Sequence, residues 1–150
     1  MERRICKTLQ FNLNRVSPIK FAPAFLRAGR ACEDPCCTFQ SPIQHNLVLY
    51  LITLGRLSYD LCQYAPSALT AAAVYLSRAT LHIEEDSNTG ATTKRGKYWS
   101  AKLEHYTGYT LDSLKKPVHL LYEYQLKAEE LNVAVFSTYS KTKLNNVSLR

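Results

Sequence analysis

Cys32, Cys36 and Cys37, with His45 downstream, form the densest group of side chains in the sequence that could hold a metal. Zinc would be the ion, but C-x₃-C-C without a second matching pair fits no common structural-zinc spacing. The thiols are therefore expected to be loop and core residues, and no metal or cofactor is expected. A cysteine nucleophile needs a histidine base held beside it. His82 falls at a loop edge and His105 and His119 on helices, and no cysteine is flanked by a motif. Glu84, Glu85 and Asp86 are adjacent carboxylates of the kind that water usually solvates. Gly29, Gly55, Gly90, Gly96 and Gly108 stand apart from one another, so no glycine-rich phosphate loop exists. Nothing here is built for catalysis on a small-molecule substrate, and an enzyme is not expected.

Binding is the remaining class. The 150 residues carry 19 Lys and Arg against 12 Asp and Glu, a net charge of +7, which suits nucleic acid or an acidic partner. Arg3, Arg4, Lys7, Arg15, Lys20, Arg27 and Arg30 fall within the first 30 residues, with Glu2 the one acid among them. Such a cluster could track phosphates. No helix-turn-helix signature accompanies it, so outward helix faces explain it better and nucleic acid is not the expected partner. Hydrophobic content of 46% with 21% charged residues describes a globular chain. Five cysteines without a secreted-framework spacing read as reduced thiols of an intracellular protein. The N-terminus lacks the apolar region of a signal peptide. The uncharged run from Leu61 to Ser77 contains Gln63, Pro66, Ser67 and Thr70, so no membrane span is expected.

The elements that must position any binding surface read as helices throughout. Ser17-Pro18 and Ser41-Pro42 are start signals, a cap followed by proline at the first helical position. The first opens a stripe of Ile19, Phe21, Ala22, Phe25, Leu26 and Ala28. The second opens one of Ile43, Leu47, Tyr50, Leu51, Leu54 and Leu57. A third helix starts at Pro66-Ser67 and is expected to run to about Leu81. Between Leu69 and Leu76 it is apolar on every side, so it must be surrounded by protein. Its alanines, Ala72 and Ala73 among them, let neighbours approach closely. Residues His82 to Lys97 read as a surface loop, apolar only at Ile83. A short helix with Trp99 and Leu103 on its buried face should stop at Gly108. Thr110 then caps a helix burying Leu111, Leu114, Val118, Leu121, Tyr122 and Leu126, with Pro117 inside it. A last amphipathic piece carries Leu131, Val135, Phe136 and Tyr139, ahead of a polar tail.

The run Tyr50 to Leu81, YLITLGRLSYDLCQYAPSALTAAAVYLSRATL, resembles the C-terminal cyclin box of the mitotic A- and B-type cyclins, whose pattern includes P-S-x-[IL]-A-A-[AG]-A. Trp99 followed by Leu103 to Thr110 is similar to that family's W-x₃-L-x-[HK]-[YT]-[ST]-G-Y-[ST]. Tyr139 to Lys143 with Val147-Ser148-Leu149 resembles its C-terminal segment. Upstream, Met1-Glu2 and Leu9 to Leu13 resemble the element that ends the first cyclin box, and Phe25-Leu26 fits the helix that follows.

The resemblance implies an all-α chain: a five-helix cyclin box, with a central apolar helix surrounded by four, and an extra C-terminal helix. Residues 1–16 would be the end of the N-terminal box and a linker, 17–144 the C-terminal box, and 145–150 the tail. It further implies a regulatory subunit, a cyclin or the C-terminal part of one, that binds a cyclin-dependent Ser/Thr protein kinase in cell-cycle progression, in nucleus and cytoplasm. Glu2, Cys6, Phe11 and Leu13 would carry what this chain holds of the kinase-binding surface. Leu69, Ala72, Ala73, Leu76, Trp99 and Tyr109 would form the structural core. The other reading is a basic cyclin-box adaptor for nucleic acid or the transcription machinery, of the TFIIB type.

Overall fold

The computed structural model describes residues 1–12, 16–30, 42–89, 98–130 and 134–149, the side chains of Arg30 and of residues 82–89 excepted. Every regular element among them is helical: α1 (Glu2–Thr8), α2 (Ala22–Arg30), α3 (Pro42–Gly55), α4 (Tyr59–Cys62), α5 (Pro66–Thr89), α6 (Ala101–Thr107), α7 (Leu111–Lys127) and α8 (Ala134–Tyr139). Short 3₁₀ turns lie at Pro18–Lys20, Thr142–Leu144 and Val147–Leu149.

Local chemistry sets most of the boundaries. Pro42 opens α3. Ser100 Oγ accepts from the Leu103 N–H at 3.3 Å at the start of α6, which ends on Gly108 in the left-handed conformation at φ 73°. Thr110 Oγ1 accepts from the Ser113 N–H at 3.4 Å at the start of α7. Pro18 behaves differently from a helix start: it opens a single 3₁₀ turn, and α2 begins only after Phe21.

α5 is the centre of the box. It packs against α2, α3 and α7, and α6 packs against α2. Ala68, Leu69, Thr70, Ala71, Ala72, Ala73, Val74, Leu76, Ser77 and Arg78 are all buried along it. Thr70 Oγ1 lies 2.8 Å from the Pro18 carbonyl oxygen and 2.9 Å from that of Pro66, which ties the 3₁₀ turn to α5. Trp99 is buried in the bend just before α6 rather than on the helix itself. Its ring stands edge-on to Tyr75, and its Nε1–H donates to the Tyr109 carbonyl at 3.0 Å. Tyr109 is half-buried, its hydroxyl 2.8 Å from Ser67 Oγ. The segment that links α6 to α7 is thereby fastened to the N-terminal half of the central helix.

α3 is enclosed more completely than its stripe implied. Val48 and Ile52 are buried with Leu47, Tyr50, Leu51 and Leu54, because α2, α5, α7, α8 and the turn Val147–Leu149 all contact it. Leu57 lies past its end and is exposed. Gly55 closes the helix where a Cβ would come within 2.9 Å of Leu69 Cδ1 and 3.2 Å of Leu121 Cδ1, so a larger residue there would make those leucine side chains shift.

Three expectations are corrected. The central helix does not stop near Leu81 but continues to Thr89. Once a helix is nucleated each further residue adds one hydrogen bond, and no proline or glycine interrupts before Gly90. Residues 90–97 lie outside the described residues. On α7, Tyr122 and Leu126 are exposed, while Leu114, Pro117 and Leu121, and Ala128 just past its end, are buried. The helix runs unbroken through Pro117, which forgoes its bond to the carbonyl of Ser113 on a turn where Ser113 itself meets water. The C-terminal residues are no polar tail: Val147 and Ser148 are buried in a turn against α3.

Candidate partner-binding surface

α1 is seven residues long and buries none of them. Glu2 in its first turn and Lys7 in its last complement the helix dipole, and Thr8 Oγ1 donates back to the Arg4 carbonyl at 2.9 Å. The helix ends in an unusual turn. Gln10 and Phe11 both adopt left-handed backbone, at φ 49° and 57°, while the Phe11 N–H donates to the Cys6 carbonyl at 2.9 Å. Such conformations cost non-glycine residues roughly 1–3 kcal/mol each. The result is a phenyl ring pointed away from the fold, 70% exposed.

Among the residues expected to face a kinase, Glu2 is exposed, Cys6 is half-buried as a free thiol, and Phe11 is exposed. These three lie on one short element and the turn that closes it. Leu13 lies outside the described residues. The kinase-facing set read from the sequence leaves out Ile5, 54% exposed, and Leu9, also exposed, which with Met1 form a stripe at i, i+4, i+8. That spacing was the available signal, since it places three apolar side chains on one face of α1. An apolar face left to water on a short helix is what a docking element presents.

The remaining candidates are scattered. Cys32, Cys36 and Cys37 lie outside the described residues, as do the side chains of His82 and Glu84 to Asp86. Among the described residues no group of three His, Cys, Asp or Glu side chains could hold a metal. The basic residues of the N-terminal segment are dispersed, Arg3, Arg4 and Lys7 on α1, Lys20 in the 3₁₀ turn and Arg27 on α2. Among the described residues no helix is long and apolar enough to cross a membrane.

Residues 16–150 match the family described as the cyclin C-terminal domain. The chain belongs to the cyclin family. The cyclin match covers α2 to α8 and the C-terminal turn, including the buried run Leu69–Leu76 of α5 and the Trp99–Tyr109 connection. Similar proteins include the G2/mitotic-specific cyclin-B of Dictyostelium discoideum, 30% identical over 99% of this chain and 30% of its own length. The G2/mitotic-specific cyclin-B2 of Gallus gallus is 31% identical over 99% of this chain and 32% of its own. Cyclin-A1-2 of Arabidopsis thaliana is 33% identical over 95% of this chain and 29% of its own. The chain thus spans about a third of the length of the curated relatives it matches.

Proposed function

We propose that this chain acts as a cyclin-type regulatory subunit that binds a cyclin-dependent Ser/Thr protein kinase and takes part in control of cell division, working in nucleus and cytoplasm. It acts by binding and not by chemistry: a regulatory subunit shifts the population of its kinase toward the active arrangement. The observation that carries this reading is membership of the cyclin family over residues 16–150, together with relatives whose names are those of G2/mitotic-specific cyclins. The basic-adaptor alternative has no comparable support.

The contact is assigned to α1 and the turn after it, through Glu2, Cys6 and Phe11, with Ile5 and Leu9 supplying apolar area. Stable protein interfaces bury on the order of 1,200–2,000 Å², more than one short helix offers. Residues 1–150 alone are therefore expected to bind a purified cyclin-dependent kinase with a Kd above about 1 µM and to activate it little. Glu2→Lys with Phe11→Ala should weaken that binding by roughly tenfold. Calorimetric titration and a histone phosphorylation assay measure both. No detectable binding would remove the kinase reading. Binding untouched by the double substitution, or strong activation, would move the contact to α2–α8.

A further inference from the structure

Ser17-Pro18 carries the residues of a helix start, yet no α-helix begins there, and its hydroxyl is left without that task. Ser17 has extended backbone, at φ −89° and ψ 146°, and its side chain caps no N–H of the 3₁₀ turn Pro18–Lys20. The turn buries none of its residues. Val16 before it is 58% exposed, Ile19 and Lys20 are exposed, and Ser17 and Pro18 are half-buried.

The sequence at that hydroxyl reads Ser17-Pro18-Ile19-Lys20. A proline holds the residue before it in the extended region, where a segment can lie across an enzyme with its hydroxyl turned toward a bound nucleotide. The proline also marks the step chemically. An enzyme pocket that offers no acceptor to the following N–H penalises every residue except proline, which has none to leave unpaired. Lys20 then supplies a cation, three residues on, for a carboxylate of the same enzyme. We propose that Ser17 is a phosphorylation site for a proline-directed Ser/Thr protein kinase that reads a cation at the third following position. In the transfer Ser17 Oγ attacks the γ-phosphorus of ATP, the bond from that phosphorus to the β–γ bridging oxygen breaks, and ADP leaves. The hydroxyl proton passes to the catalytic carboxylate of the kinase. The product carries about −1.5 to −2 charge at neutral pH, in the stretch of chain between α1 and α2.

Reading Lys20 requires the turn to open, and few bonds oppose it. The Lys20 N–H donates to the Ser17 carbonyl at 3.1 Å, and the Phe21 N–H to that of Pro18 at 3.0 Å. Thr70 Oγ1 gives up the Pro18 oxygen but keeps that of Pro66 at 2.9 Å. Ser41-Pro42-Ile43-Gln44, the other Ser-Pro step of the chain, is an internal comparison. It has Gln44 in the place of Lys20, and its proline opens the 14-residue α3, with Ile43 packed against the core. Ser17 and not Ser41 is therefore the acceptor. The chain is the substrate here, so the proposal does not rest on its acting as a regulatory subunit.

The test incubates the whole 150-residue chain with ATP, magnesium and a cyclin-dependent kinase already paired with a cyclin of its own. Intact-mass and peptide mass spectrometry read the product. One phosphate on Ser17 is expected, lost in Ser17→Ala and kept in Ser17→Thr and in Ser41→Ala. The initial rate should fall about tenfold with Pro18→Ala and severalfold with Lys20→Ala. A thermal melt checks that each variant folds, and Lys20, exposed on the turn, tests the recognition even if Pro18→Ala is destabilised. No phosphate on Ser17, preferential phosphate on Ser41, or a rate untouched by Lys20→Ala would overturn the proposal.

Discussion

Tyr50 is fully buried on α3 with its ring 5.5 Å from that of Tyr139, and among the described residues its hydroxyl has no hydrogen-bond partner. A buried hydroxyl left unpaired costs roughly 1–3 kcal/mol, so the phenol contributes through its ring and loses through its oxygen. Tyr50→Phe is therefore expected to leave the thermal midpoint unchanged or raise it, while Tyr50→Ala should cost about 3–5 kcal/mol. Burial also pushes the Tyr50 hydroxyl from its ordinary 10.0 up to about 12. Because the folded value lies above the unfolded one, ionisation costs the fold nothing below pH 10, and stability falls as pH rises from about 10 to 12. The loss is on the order of 2 kcal/mol. Urea unfolding at pH 9 and pH 11.5 should show the wild type losing more stability than Tyr50→Phe. A Phe variant that is clearly less stable at neutral pH would mean that the hydroxyl has a partner after all.

Among the elements, α5 and α7 illustrate opposite degrees of legibility. The run Leu69–Leu76 has no polar face, and a helix without one has a single stable place, inside. Ala72 and Ala73 are fully buried there, so Ala72→Leu and Ala73→Leu should each overpack the box by roughly 1–3 kcal/mol. Chemical denaturation of the two variants measures it, and unchanged midpoints would remove α5 from the centre. On α7 the stripe read from the sequence, Leu111, Leu114, Val118, Leu121, Tyr122 and Leu126, shares only Leu114 and Leu121 with the fully buried set, which is completed by Pro117 and, just past the helix, Ala128. α7 packs against α3 and α5, and small or compact side chains take the buried places. Burial was decided by the neighbours' approach and not by hydrophobicity alone.

Across the whole molecule, the C-terminal turn closes the box. Val147 is fully buried against α3, and the turn Val147–Leu149 also meets α8. Removing residues 145–150 would uncover Val147's share of that face together with part of α3. The expected loss is about 2 kcal/mol or more, from the deleted side chain and the apolar surface newly exposed. A thermal melt of residues 1–144 against the full chain checks this, and equal midpoints would show that the turn is an ornament of the box and not part of it. The N-terminal end behaves oppositely: α1 leaves its apolar face to solvent, and its deletion should change partner binding far more than stability.

The sequence by itself determined where α3, α5 and α7 begin and where α6 ends, that one helix is central, and which family the chain resembles. These rest on short-range physics: proline at a first turn, a threonine hydroxyl reaching a backbone N–H, a glycine free to turn left-handed, a stretch with no polar side. It did not determine how far α5 extends, which flank of α7 faces inward, or that the last residues fold back. Each of those depends on groups distant in sequence. Only the tertiary structure decided that Phe11 stands out in solvent, and that Pro18 opens a turn tied to Thr70 of α5 instead of a helix. Groups so far apart in the chain carry no mutual pattern until the elements that hold them pack together.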